Sequence, residues 1–108
     1  MGSKPNYIVQ RVPEIPEDLS ELPIELQENL PIYQQILAIA PYQLFGLASH
    51  NLTGKLKGYR AIEIDYQGIA YRLVYKIHEK PAPKRVVILS FAEHDPAYEK
   101  AKKRKLGK

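Results

Sequence analysis

The chain has 108 residues, no cysteine, and 16 Lys and Arg against 12 Asp and Glu, for a net charge of +4. That length supports one domain, spanning 1–108, with a single core that buries roughly 65% of the unfolded surface. The lack of cysteine excludes a disulfide framework and a thiolate metal site, and it fits a reducing compartment. No stretch approaches the ~18 apolar residues of a membrane span, and the start lacks a charged-then-apolar signal pattern, so a cytoplasmic protein is expected. Charge is unevenly spread. Residues 1–50 hold two basic and six acidic side chains, a balance of −4, whereas residues 51–108 hold fourteen basic and six acidic, a balance of +8. Such asymmetry points either to a polyanion or acidic protein partner at the second half, or to a merely solvated basic helix.

In chain order, Tyr7–Val12 reads as a first strand ended by Pro13 and Pro16. Glu17–Leu22 reads as a short helical turn with Pro16 or Glu17 near its start. Pro23–Leu30 places Pro at the first helical position, with apolar residues at Leu26 and Leu30. Pro31 should break or kink the helix, since an internal Pro costs about 3 kcal/mol. Ile32, Ile36, Leu37 and Ile39 carry a helical stripe on to Ala40. Two helical segments with a break near Pro31 are therefore expected. Tyr42–Lys57 is mixed and reads as a loop leading to the sheet. His50 and His78 fall in loops and are given no role.

Tyr59–Tyr66 and Ile69–Ile77 form the clearest unit. Both halves alternate and are rich in β-branched and aromatic residues, and Gln67–Gly68 lies between them as a two-residue hairpin turn. Such a loop sets Tyr66 opposite Ile69, Glu63 opposite Arg72 and Ile62 opposite Leu73. Ile62, Ile64, Tyr71 and Leu73 then share a core face, and Glu63, Asp65, Arg72 and Val74 share the other. Gln is a poor residue where a turn needs positive φ, and a one-residue slip would flip every side chain. After a Pro-rich loop at 78–84, Arg85–Phe91 reads as a nearly continuous apolar strand. Asp95 or Pro96 then opens a basic helix to about Lys105, with acid at its start and bases at its end. Residues 1–6 and 105–108 should fray.

Gly54–Lys55–Leu56–Lys57–Gly58, Tyr71–Arg72–Leu73–Val74–Tyr75, Val86–Val87–Ile88–Leu89 and His94–Asp95–Pro96–Ala97–Tyr98–Glu99–Lys100–Ala101 with Arg104 form an ordered set over residues 52–104. The set resembles the RelE/ParE toxin superfamily of type II toxin–antitoxin systems. The resemblance implies an α+β fold, with helical segments packed on a curved antiparallel sheet and a C-terminal basic helix. It also implies an acidic antitoxin partner, no cofactor or metal and, in the RelE branch, mRNA cleavage in the ribosomal A site. Two departures stand out. Glu63 and Asp65 occupy the positions of the RelE lysines, and Glu93 and His94 stand where RelE carries an arginine. A carboxylate, an arginine and a histidine are similar to the YoeB-type set, although Glu63 matches that carboxylate in type and not in motif position.

RNA self-cleavage needs a base for the 2′-OH proton, a cation for the phosphorane charge and an acid for the leaving 5′-oxygen. Glu63 is assigned as base, Arg72 as bidentate phosphate clamp and His94 as acid, with Tyr98 stacking on a base or orienting the phosphate. Each has a plainer reading. Glu63–Arg72 can be a cross-strand ion pair worth about 0.2–1 kcal/mol, His94 a cap-region residue, and Tyr98 a cover for the sheet. Lys55, Lys57, Arg60, Lys76, Lys102, Lys103 and Arg104 are assigned to RNA contact, where phosphates dominate affinity. The expectation is a ribosome-dependent mRNA endoribonuclease. The rival is a non-catalytic binding protein, either a ParE-like gyrase inhibitor or an inert homologue kept for complex formation.

Overall fold

The computed structural model describes residues 6–44 and 46–105. In chain order the elements are β1 (Ile8–Arg11), α1 (Ile15–Ser20), α2 (Ile24–Ile39), β2 (Ala48–Asn51), a 3₁₀ turn (Gly54–Leu56), β3 (Arg60–Tyr66), β4 (Ile69–His78), β5 (Arg85–Glu93) and α3 (His94–Lys103). One five-stranded sheet runs in the order β1-β5-β4-β3-β2. It is α+β and mostly antiparallel, as expected, but β1 runs parallel to β5.

The hairpin register is the one the alternation dictates: Tyr66 pairs with Ile69, Glu63 with Arg72 and Ile62 with Leu73. Gln67 and Gly68 both take positive φ, 51° and 80°, the signature of a turn matched to strand twist. On the other side of β4, Val74 pairs with Ser90 and Tyr75 with Ile88, so Leu89 is an extra residue in β5. Phe91 faces α2, meeting the Tyr33 ring edge-on at 6.0 Å. Ser90 faces α3, donating from Oγ to the Ala97 carbonyl at 2.7 Å. Helices therefore cover both faces. Ile62, Leu73 and Phe91 belong to the α2 face, while Val74, Ala92, Ala97 and Ala101 are buried on the α3 face. Val74 is thus a core residue and not part of an open polar face.

The expected helix break at Pro31 is absent, since α2 runs unbroken from Ile24 to Ile39 with Pro31 inside. Leu26, Leu30, Tyr33 and Leu37 are buried along it, at helical spacing on both sides of the proline. Each such side chain stabilises by about 1.5–3 kcal/mol, which together outweighs the ~3 kcal/mol of one internal proline. Pro31 itself is exposed, where water can take the carbonyl bond that its missing N–H gives up. Ile32, expected in the apolar stripe, is 52% exposed, and Tyr33 fills that place.

Other boundaries shift. The first helix begins at Ile15 rather than Glu17, and the last begins at His94 rather than Asp95. Residues 48–51, read as loop, form the edge strand β2, and His78 is the last residue of β4. Of the ends expected to fray, residues 1–5 and 106–108 lie outside the described residues. Asn6 and Lys105 are both held: the Asn6 N–H donates to the Ala38 carbonyl at 2.8 Å and Lys105 Nζ to the Lys55 carbonyl at 3.0 Å. Among the described residues, no helix is long and apolar enough to cross a membrane.

Candidate active site

The α3 face of the sheet gathers most of the chemistry. Glu63 lies on it in β3, next to the edge strand, with Arg72 directly across on the central strand β4. His50, on β2, pairs with Ala61 and so sits diagonal to Glu63 on the same face. The Glu63 carboxylate turns toward the histidine, placing Oε2 2.9 Å from His50 Nδ1 with both side chains 41% exposed. No ion pair joins Glu63 to Arg72, so the pairing expected from the register is one of backbone and not of charge. Arg72 instead donates from Nη1 to the Tyr71 carbonyl at 2.8 Å.

Two side-chain polar atoms are buried without a hydrogen-bond partner among the described residues: His50 Nδ1 and Arg72 Nε. The His50–Glu63 contact has ion-pair distance but not hydrogen-bond alignment. Folded proteins leave few such groups, and both of these lie on the face that carries Glu63.

His94 and Tyr98, one turn apart on α3, stand at the edge of this face. Their rings meet edge-on at 4.8 Å. His94 Nδ1 lies 2.7 Å from Asp95 Oδ1. Register brings Arg72 opposite Ala92, two residues before His94. Tyr98 also lines a cavity of about 310 Å³ together with His50, Asn51, Leu52, Thr53, Leu56 and Lys102. The sheet and α3 thus bring His50, Glu63 and Arg72 onto one face, with Tyr98 joining the His50 cavity to His94. His50 is the member that the sequence did not disclose. Its strand is a four-residue edge segment, Ala-Ser-His-Asn, defined by pairing with β3 and carrying little strand propensity of its own.

The predicted RNA-contacting residues divide. Lys102 lines the cavity while reaching Glu99 Oε2 at 3.3 Å, and Lys55, Lys57 and Lys103 are exposed. Lys76 Nζ sits 4.8 Å over the Tyr59 ring. Arg60 and Arg104 are consumed by internal contacts. Arg60 lies on the α2 face, where its guanidinium donates to Asn51 Oδ1 (2.7 Å), Ser49 Oγ and the Tyr42 carbonyl (2.9 Å each) and Tyr75 Oη (3.2 Å). Arg104, just past α3, grips Asp18 with Nη1 on Oδ2 (2.8 Å) and Nη2 on Oδ1 (3.1 Å), and Nη1 also reaches the Leu89 carbonyl (2.9 Å).

Asp18 is fully buried and accepts two further bonds, from the Phe91 N–H and from Lys100 Nζ, each at 3.1 Å. Burial alone would raise its pKa. The bonds from Arg104, Phe91 and Lys100 outweigh it and hold the carboxyl below the usual range. Burial would likewise lower Lys100, but Asp18 holds it above its ordinary value, and Arg104 is raised by the same carboxylate. At the far end of the sheet, Glu79 Oε2 accepts from Tyr7 Oη (2.7 Å) and Tyr42 Oη (2.6 Å). Burial and this carboxylate push Tyr7 up to about 12. Among the described residues, no three carboxylates or imidazoles are grouped to hold a metal.

No family profile matches the chain, and no curated protein matches it. Solved structures do. The toxin–antitoxin complex RelBE2 from Mycobacterium tuberculosis aligns with a TM-score of 0.62 at 24% identity, over 84% of this chain and 100% of that one. A YoeB/ParE toxin from Agrobacterium tumefaciens gives 0.65 at 16%, over 81% and 98%. An E. coli RelE mutant in the free state gives 0.63 at 19%, over 94% and 99%. The chain has the RelE/ParE toxin fold.

Proposed function

We propose that this protein is the toxin of a type II toxin–antitoxin system, a cytoplasmic endoribonuclease that cuts mRNA on the ribosome and is neutralised by an acidic antitoxin. The fold supports the toxin reading. The observation that carries the chemistry is the gathering of His50, Glu63 and Arg72 on one face, with His50 Nδ1 and Arg72 Nε buried and without hydrogen bonds and His50 2.9 Å from the Glu63 carboxylate. In this reading the scissile phosphate lies over this face, next to the cavity that His50, Tyr98 and Lys102 line. Arg72 neutralises the charge that builds on the phosphorane, in a half-buried setting where a cation counts for more than in water. The carboxylate–imidazole side takes the 2′-OH proton. His94 returns a proton to the departing 5′-oxygen, and Tyr98 supplies an aromatic wall for a base. Lys102 lines the adjoining cavity, and with the exposed Lys55, Lys57 and Lys103 it attracts the RNA backbone.

Glu63 and Asp65, standing at positions where RelE has lysines, favour one second reading: a non-catalytic protein that acts by binding, on gyrase or within a complex. Primer extension on cellular mRNA after induction decides between them. The nuclease leaves cuts at fixed positions within codons. Growth arrest with intact transcripts would sink the nuclease reading.

A further inference from the structure

We infer that His50 is the general base of the site and that Glu63 acts through it as a positioning residue. This rests on the endoribonuclease reading above. Four observations converge on it. His50 Nδ1 is buried and its nearest acid is Glu63 Oε2 at 2.9 Å, although the ring as a whole is 41% exposed. His50 also lines the cavity of about 310 Å³ that it shares with Tyr98 and Lys102. Ala61, opposite His50, is small and fully buried, so nothing on that strand contends with the imidazole for the space. Arg72, the phosphate-holding cation, stands directly across from Glu63.

A carboxylate at 2.9 Å from Nδ1 favours the tautomer with its proton there, which leaves the Nε2 lone pair to accept a proton from substrate. The poor alignment of the Nδ1 contact does not exclude the role, because such bonds are often slack without substrate and tighten in the complex. In the reaction, Nε2 takes the 2′-OH proton as the 2′-oxygen bonds to phosphorus. The bond from phosphorus to the 5′-oxygen breaks, and His94 supplies the proton for that oxygen. The products are a 2′,3′-cyclic phosphate and a 5′-hydroxyl, with His50 cationic and His94 neutral until solvent resets them. Glu63 stabilises the transient imidazolium and never takes the proton itself.

Single-turnover cleavage of ribosome-bound mRNA by wild type, His50→Gln and Glu63→Gln, each across pH, tests the assignment. His50→Gln should slow the chemical step about 10²–10⁴-fold and abolish the limb that rises with deprotonation of the base. Glu63→Gln should slow it less and keep that limb, displaced. The opposite pattern, with the limb lost in Glu63→Gln and kept in His50→Gln, would overturn the inference and return Glu63 to the role of base. Should His50→Gln fold poorly, His50→Ala assayed with added imidazole gives the same decision. Recovery of rate per folded molecule supports a proton-transfer role, and its absence with normal RNA binding refutes one. A wild type that cuts no mRNA at all fails the endoribonuclease reading itself, whereas a cutting wild type with an unimpaired His50→Gln fails only this assignment.

Discussion

Two charged clusters in this molecule are built in opposite ways. In one, Asp18 is wholly buried and both carboxylate oxygens are engaged, by Arg104, Lys100 and the Phe91 N–H. In the other, Glu63 is half-exposed, touches His50 off-line, and leaves His50 Nδ1 and Arg72 Nε without hydrogen bonds. The first ties α1 to the end of α3 and to β5, and its completeness is what a structural network requires, since a half-satisfied buried charge costs more than none. The second is held on rigid strands yet kept incomplete. On the endoribonuclease reading, donors left unspent within the fold are the ones a phosphate can take up. On the proposed reading, the difference separates charges that serve the fold from charges that serve chemistry, although each cluster contains an arginine and an acid.

Removing Asp18 should give the largest effect. Asp18→Ala leaves two cations facing a buried space and is expected to lower stability by about 3–5 kcal/mol, a large share of a small domain's total. Its pH signature has a definite sign. A carboxyl whose folded pKa lies below its unfolded value stabilises fully above the unfolded value, near 3.9, and that contribution is lost as pH falls through the folded value. Denaturant midpoints of wild type should therefore drop in acid more steeply than those of Asp18→Ala. A loss under about 1 kcal/mol, or parallel acid limbs, would dissolve the contrast between the clusters.

Arg72→Ala should behave inversely. Its internal side-chain bond is to the Tyr71 carbonyl, so stability should change by no more than about 1 kcal/mol. Cleavage should fall about 10²–10³-fold, the usual cost of one donor to developing charge. Arg72→Lys should recover little, because an ammonium does not offer two parallel donors. Full activity in Arg72→Ala, or its unfolding, would move Arg72 into the structural class.

The same contrast explains what was legible in the sequence. Where structure is set by neighbours in the chain, the sequence discloses it: the hairpin register, the basic helix after Asp95 and the opposition of Glu63 and Arg72 all come from local patterning, the last from alternation around Gln67–Gly68. Where structure is set by distant packing, it does not. Pro31 reads as a helix breaker because its tolerance depends on facing water while Leu30 and Tyr33 hold the core. Arg60 and Arg104 read as RNA contacts because their partners, Asn51, Tyr42 and Asp18, lie 9 to 86 residues away. His50 reads as a loop residue because β2 exists only as the neighbour of β3. The one hint was that Arg60–Tyr66 would otherwise leave its ladder open on one side.

The smallest effect lies in the turn that sets the register. Gln67 holds φ at 51°, a conformation that costs a residue with an ordinary side chain, and Asn adopts it more readily. Its amide makes only a marginal 3.5 Å contact with Tyr66 Oη on the surface. Gln67→Asn should therefore raise stability by about 0.5–1 kcal/mol, seen as a rise of a few degrees in Tm. The turn touches neither charged cluster, so the single-turnover rate and the acid limb should both remain as in wild type. A gain in stability with an altered rate would mean that Glu63 and Arg72 still shift against each other in wild type and that tightening the turn moves them. A loss of stability would mean that the left-handed residue is held by more than local backbone preference, and would place the hairpin tip among the parts of the fold fixed by distant contacts.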